Sequence, residues 1–148
     1  MNRSNKLSAQ ELKELVLNSF IAEKNMDIQA GLKSVDEEFK VTEMVASKDG
    51  NHLPSLSGKK LRDLMKLAFK TKGRQYTFKS VLADEESQTV IVEFIETYPD
   101  PKTGQIYRTP QISVCSIKNG KIFRTRHYMD PRLSFENLTE SQIESSFQ

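Results

Sequence analysis

Through the first half of the chain the apolar residues recur with the period of a helix. Leu12, Leu15, Val16 and Phe20 fall on one stripe, the pattern of a helix packed on a core by one face, and predict a helix running to about Lys24. Its start is marked: Ser8 can cap, Glu11 completes a capping box, and Leu7 and Leu12 are placed as a hydrophobic staple. Asp27 is an acceptable cap for a second helix that carries Ile28 and Leu32 inward. Gly31 limits that helix to about two turns. Residues 39–45, aromatic and β-branched, read as a first strand, and residues 47–58, with Asp49-Gly50, Pro54 and three serines, as a loop. A third helix starts at Ser57 or Gly58, carries the stripe Leu61, Leu64, Met65, Ala68 and Phe69, and ends at Gly73.

From Tyr76 the period changes to two. Tyr76, Phe78, Ser80 and Leu82 share one face of a strand, and residues 83–87 turn the chain. Val90, Val92, Phe94 and Tyr98 then oppose Ile91, Glu93, Ile95 and Thr97 on the next strand. A third strand covers about 106–117, Asn119-Gly120 supplies a two-residue hairpin loop, and residues 121–129 return. Strands joined by turns this short are antiparallel. Both faces carry apolar side chains, so both are expected to be covered: one by the three helices, the outer one by a second copy of the chain in a homodimer. Residues 139–147 form a weak helical tail.

At 148 residues the chain has the length of one domain, enough to bury about 70% of its unfolded surface and to hold an interior pocket. Hydrophobic residues make up 36% and charged residues 28%, which places it with globular rather than disordered proteins, and no apolar run is long enough for a membrane span. The N-terminus lacks the apolar region of a signal peptide, so a cytoplasmic location is expected. One cysteine excludes an internal disulfide, and one Cys with two His is too small a set for a structural zinc site. The net charge of +2 is unevenly placed: residues 57–74 hold seven positive charges against one negative, a net of +6. Such a face can bind phosphate or nucleic acid. With no aromatic interleaving and no binding motif, the preferred reading is a solvated helix face, and nucleic acid is not expected as a partner.

No nucleotide, hydrolase or metalloprotease motif is present, and neither a metal nor a cofactor is expected. Cys115, mid-strand with no local base, reads as a small buried hydrophobe, and His52 as solvated. The residues that stand out are in the last strand. Strict alternation puts Ile122, Arg124, Arg126, Tyr128 and Asp130 on one face, with Phe123, Thr125, His127 and Met129 opposite. An ionisable row at the end of a half-buried strand fits a pocket in which Asp130 exchanges a proton, Tyr128 donates a hydrogen bond and an arginine orients an oxyanion. It also fits ion pairs from Arg124 or Arg126 to Glu93 or Glu96. His127 reads as a proton shuttle or as a packed interface residue.

The order of elements and the ending Gly120-Lys121-Ile122-Phe123-Arg124-Thr125-Arg126-His127-Tyr128-Met129-Asp130-Pro131 resemble the SnoaL-like group of the nuclear transport factor 2-like superfamily over about residues 8–134, with 135–148 as a tail. The group includes ketosteroid isomerases, polyketide cyclases and limonene-epoxide hydrolases. The resemblance implies an α+β fold: a curved antiparallel sheet wrapped around three N-terminal helices as a cone with an internal cavity, of the cystatin-like kind. It implies a small apolar ligand, and proton-transfer chemistry (isomerisation, aldol-type cyclisation or hydration) if the protein is catalytic. It places Asp130 at the position of the cyclases' acid/base, with Tyr128 and Arg126 as electrophilic support. The alternatives are a non-catalytic dimeric ligand-binding or protein-interaction module and, behind it, a nucleic-acid binder using residues 57–74.

Overall fold

A computed structural model describes residues 6–130 and 138–148; residues 131–134 of the expected core lie outside that range. The elements are α1 (Ala9–Lys24), α2 (Ile28–Ser34), β1 (Val35–Glu43), β2 (Ser55–Ser57), α3 (Gly58–Ala68), β3 (Gln75–Asp84), β4 (Thr89–Pro99), β5 (Ile106–Lys118), β6 (Lys121–Tyr128) and α4 (Glu140–Glu144), followed by a short 3₁₀ turn, Ser145–Phe147. The six strands form one curved, open sheet in the order β2-β1-β6-β5-β4-β3.

The fold class is the expected α+β arrangement, with one change in the sheet. β3 to β6 form the antiparallel meander, but β1 pairs with β6 in parallel. Residues 44–120 separate these two strands, enough chain to return in either direction, and local turn chemistry says nothing about the choice. The loop read at 47–58 also contributes a short strand, β2, paired with β1.

Local signals placed the helices well. Ser8 Oγ accepts from the Glu11 amide at 3.3 Å while Glu11 takes the Ser8 amide at 2.8 Å, closing the capping box. Asp27 caps α2 through the Ala30 amide at 3.0 Å. Asn119 and Gly120 both hold positive φ, 51° and 72°, as the two-residue hairpin turn requires. The tail forms α4, capped by Thr139, and Lys79 ties it to β3 through Glu144 at 2.6 Å. Helix α3 stops at Ala68, short of Gly73, because the amides of Lys70 and Thr71 turn back to Leu67 and Ala68. Gly73 instead opens β3's approach at φ +77°, against the Pro99 ring.

The core lies between the helices and the concave side of the sheet. Leu12 and Val16 of α1 and Leu61 of α3 pack with Val90, Val92 and Phe94 of β4. Phe20 sits edge-on to Tyr76, Phe78 and Phe94, with centroids 5.0, 5.6 and 4.9 Å away. Gly31 is needed for packing: a Cβ there would stand 2.3 Å from the tip of the buried Phe69 ring. Gly31→Ala should therefore destabilise by about 1–2 kcal/mol net, overpacking outweighing the gain in helix propensity. A urea-unfolding midpoint at or above wild type would refute this.

Two β-bulges reset which residues face inward. The β3–β4 register slips between Phe78 and Ser80, so Val81 and Ala83, not Ser80 and Leu82, continue the inner row, and Leu82 is 61% exposed. The β5–β6 register slips beside Phe123, leaving Ile122 inside and bringing Thr125 and His127 into line with it. Arg124, Arg126 and Tyr128 therefore point to the outer side, contrary to the unbroken alternation read from the sequence.

Candidate functional site

A cavity of about 240 Å³ lies between the sheet and the helices. Its wall is mostly apolar, built from Phe20 of α1, Gly31 of α2, Phe39 of β1, Leu61, Met65 and Phe69 on and beyond α3, and Ile122 of β6. Polar groups enter it mainly from three adjacent strands. Glu43 on β1 registers with His127 on β6, and His127 with Ser113 on β5. Neighbouring positions on paired strands stand about 5 Å apart, so the three side chains form one row across the sheet.

Each group in that row is electrostatically unusual. Glu43 Oε2 is buried without a hydrogen-bond partner among the described residues, and desolvation holds its carboxyl above the ordinary range. Burial pushes the His127 imidazole down to about 4, so it is neutral at pH 7. Ser113 is fully buried and its Oγ also lacks a partner among the described residues. Beside them, Thr125 Oγ1 lies 3.6 Å from Cys115 Sγ, and burial pushes that thiol up to about 11, which makes it a packed hydrophobe rather than a nucleophile.

A second polar cluster closes one side. Glu23, at the end of α1, is on the cavity wall and accepts the Tyr76 hydroxyl at 2.7 Å. Arg74 Nε approaches Glu23 at 3.6 Å, and its guanidinium bonds Glu96, which also takes the Gln111 amide at 2.6 Å. The same guanidinium lies 5.0 Å from the centre of the Tyr98 ring. Arg74 is thus a buried member of an ion cluster, not part of the basic face in which the sequence reading counted it. The solvated part of that face is seen at Lys59 and Lys66, which pair with Asp63 at 2.6 and 3.6 Å.

The three site residues named from the sequence are not brought together on this wall. Tyr128 is 41% exposed on the outer side of β6. Arg126, half-buried there, has a buried Nε without a hydrogen-bond partner among the described residues. Asp130 is half-buried two residues beyond the strand and is not among the cavity's lining groups. The bulge at Phe123 is the physical reason for the displacement of Arg126 and Tyr128. The anticipated pairs from Arg124 or Arg126 to Glu93 or Glu96 do not form among the described residues; Glu96 faces inward to Arg74. Glu43 and Ser113 went unremarked in the sequence, although the signal was there: Phe39, Val41 and Glu43 alternate, setting a carboxylate in step with two core residues. His127, for which two roles were open, is on the wall.

No groups of metal-ligating side chains occur among the described residues, and no helix there is long and apolar enough to cross a membrane. No protein-family model matches the chain, and no curated protein matches it. Solved structures do. An LEH-like epoxide hydrolase of M. tuberculosis superposes with a TM-score of 0.72 at 15% identity, covering 93% of this chain and 96% of that one. A proposed isomerase from Bacillus subtilis gives 0.71 at 24% identity, over 85% and 93%. A proposed SnoaL-like polyketide cyclase from Jannaschia sp. CCS1 gives 0.65 at 14% identity, over 82% and 87%. At these identities the likeness carries the fold and leaves the chemistry to be argued from the cavity. The chain has the nuclear transport factor 2-like fold, the one on which SnoaL-like cyclases and LEH-like epoxide hydrolases are built.

Proposed function

We propose that this protein binds a small, mostly apolar, carbonyl-bearing molecule in the cavity and transfers a proton on it, with Glu43 as the acid/base. The observation that carries this reading is the unpartnered, desolvated Glu43 oxygen on an apolar wall. An unpaired buried carboxylate costs stability and persists where a ligand completes it. In the proposed step the Glu43 carboxylate takes a proton from the carbon beside a carbonyl. Neutral His127 or the Ser113 hydroxyl donates to the developing enolate oxygen, and Glu43 returns the proton at the same or a neighbouring carbon. That the same fold carries an LEH-like epoxide hydrolase supports the catalytic reading over a purely binding one. In D₂O, the protein should accelerate deuterium uptake at the α-carbon of a bound ketone, read by mass spectrometry. Glu43→Gln should lower that rate about a hundredfold while leaving the fold intact. Uptake that Glu43→Gln leaves unchanged would remove Glu43 from the role.

The outer side of the sheet supports self-association. Leu82, Ile91, Ile112 and Tyr128 are 61, 40, 38 and 41% exposed and lie on neighbouring strands of that side. We propose a homodimer through this face, which would cover them.

A further inference from the structure

A groove of about 510 Å³ lies beside the cavity, between β1, the segment 52–56 and α3. It is lined by Leu53, Pro54, Leu56, Leu61 and Leu64 with little polar relief beyond Glu43, His52 and Ser55. Val41, Glu43, Leu61 and Leu64 line both spaces. The two spaces therefore share a wall, and Glu43 is its one ionisable residue. Leu53, Leu56 and Leu64 remain 45, 38 and 47% exposed, three large apolar side chains around one opening.

We propose that cavity and groove are one channel, and that its ligand is an elongated, mostly apolar molecule whose polar group lies along its length rather than at an end. One apolar arm fills the cavity against Phe39, Met65 and Phe69; the other lies in the groove against Leu53 and Leu56. The carbonyl between them sets its α-carbon against the Glu43 carboxylate and its oxygen towards His127 or Ser113. This rests on Glu43 being the group that engages the ligand, and it adds the ligand's shape and the position of its functional group. The shared wall decides the occupant: among the described residues the groove's lining offers no carboxylate or Lys/Arg cation besides Glu43, and Glu43 belongs to the cavity as well.

Calorimetric titration with three ketones tests it: 3-pentanone, 2-undecanone and 6-undecanone. Each buried methylene adds roughly fourfold in affinity where it is fully covered. The three further methylenes of the cavity arm alone should make 6-undecanone bind about sixtyfold more tightly than 3-pentanone, and the half-open groove should make it bind severalfold more tightly than its isomer 2-undecanone. Leu53→Glu and Leu56→Glu, both at exposed positions that should tolerate the change, are expected to abolish the advantage of 6-undecanone. Glu43→Gln should slow deuterium uptake from all three ketones about a hundredfold. If uptake from 3-pentanone needs Glu43 but arm length and the groove variants have no effect on affinity, the channel is wrong and the proton-transfer site stands. If uptake from no ketone depends on Glu43, the site itself fails. If Leu56→Glu instead converts a dimer to a monomer with ketone affinities intact, the groove is an interface between copies, and the inference is overturned.

Discussion

Arg74→Met is expected to lower the unfolding free energy at pH 7 by about 3–5 kcal/mol, the cost of leaving buried carboxylates without their cation. Arg74 is 10% exposed at the side chain, between Glu23 at 24% and Glu96 at 13%. It also bonds the Ala68 carbonyl at 3.4 Å and stacks over Tyr98, so one side chain joins the ends of α1 and α3 to β4. Methionine preserves much of the volume and removes the charge, which separates electrostatics from cavity formation. Arg74→Lys should recover only part of the loss, because a point charge cannot address Glu23, Glu96 and a carbonyl together. Adding Glu96→Gln to Arg74→Met should restore about half, since it discharges one orphaned carboxylate and keeps a partner for Gln111. Urea unfolding of the four proteins measures this. A loss below about 1 kcal/mol for Arg74→Met would place the cluster with solvent-screened surface pairs. The cluster also holds Glu23 on the cavity wall, so the same variant should loosen ligand binding on that side.

What was legible in the sequence was what local chemistry decides. The Ser8–Glu11 box, the Asp27 cap, the Asn119-Gly120 turn and the Thr139 start of α4 each rest on contacts spanning a few residues, and each formed as read. The inner row of β4, Val90, Val92 and Phe94, was also legible, because that strand runs without a bulge. What was not legible depends on pairing over long distances. The slips beside Phe78 and Phe123 are set by how the sheet bends around the helices, and nothing in the residues themselves announces them. One such slip moved Arg126 and Tyr128 to the outer face and His127 to the inner. Arg74 looked like one more cation in a basic run until the fold brought Glu96, from a strand some twenty positions later, beside it. Glu43 became a site residue only when β1 paired in parallel with β6 and placed it beside His127.

Burial of His127 on the cavity wall makes the stability of the fold sensitive to acid. The folded-state value of His127, about 4, lies below its ordinary 6.5, so between these limits the unfolded chain binds the proton more readily than the folded one. The stabilisation is complete above about pH 6.5 and is lost as the pH falls through the window towards 4, amounting to about 3 kcal/mol at its lower edge. That is a large share of the 5–15 kcal/mol typical of a domain. Glu43 acts with the opposite sign. Its folded-state value is raised, so the folded chain holds its proton more tightly, and stability is lost as the pH rises from the ordinary carboxyl value through the raised one. Ionised Glu43 could also pair with a protonated His127 and soften the acid loss. His127→Gln should therefore flatten the decline between pH 6.5 and 4.5, and Glu43→Gln should steepen it while raising stability at pH 7. Urea midpoints for the three proteins across pH 4.5–7.5 decide between this and a diffuse origin. If His127→Gln keeps the wild-type slope, the imidazole is not the group that acid titrates, and the dry, apolar surround assigned to the row of Glu43, His127 and Ser113 is wrong.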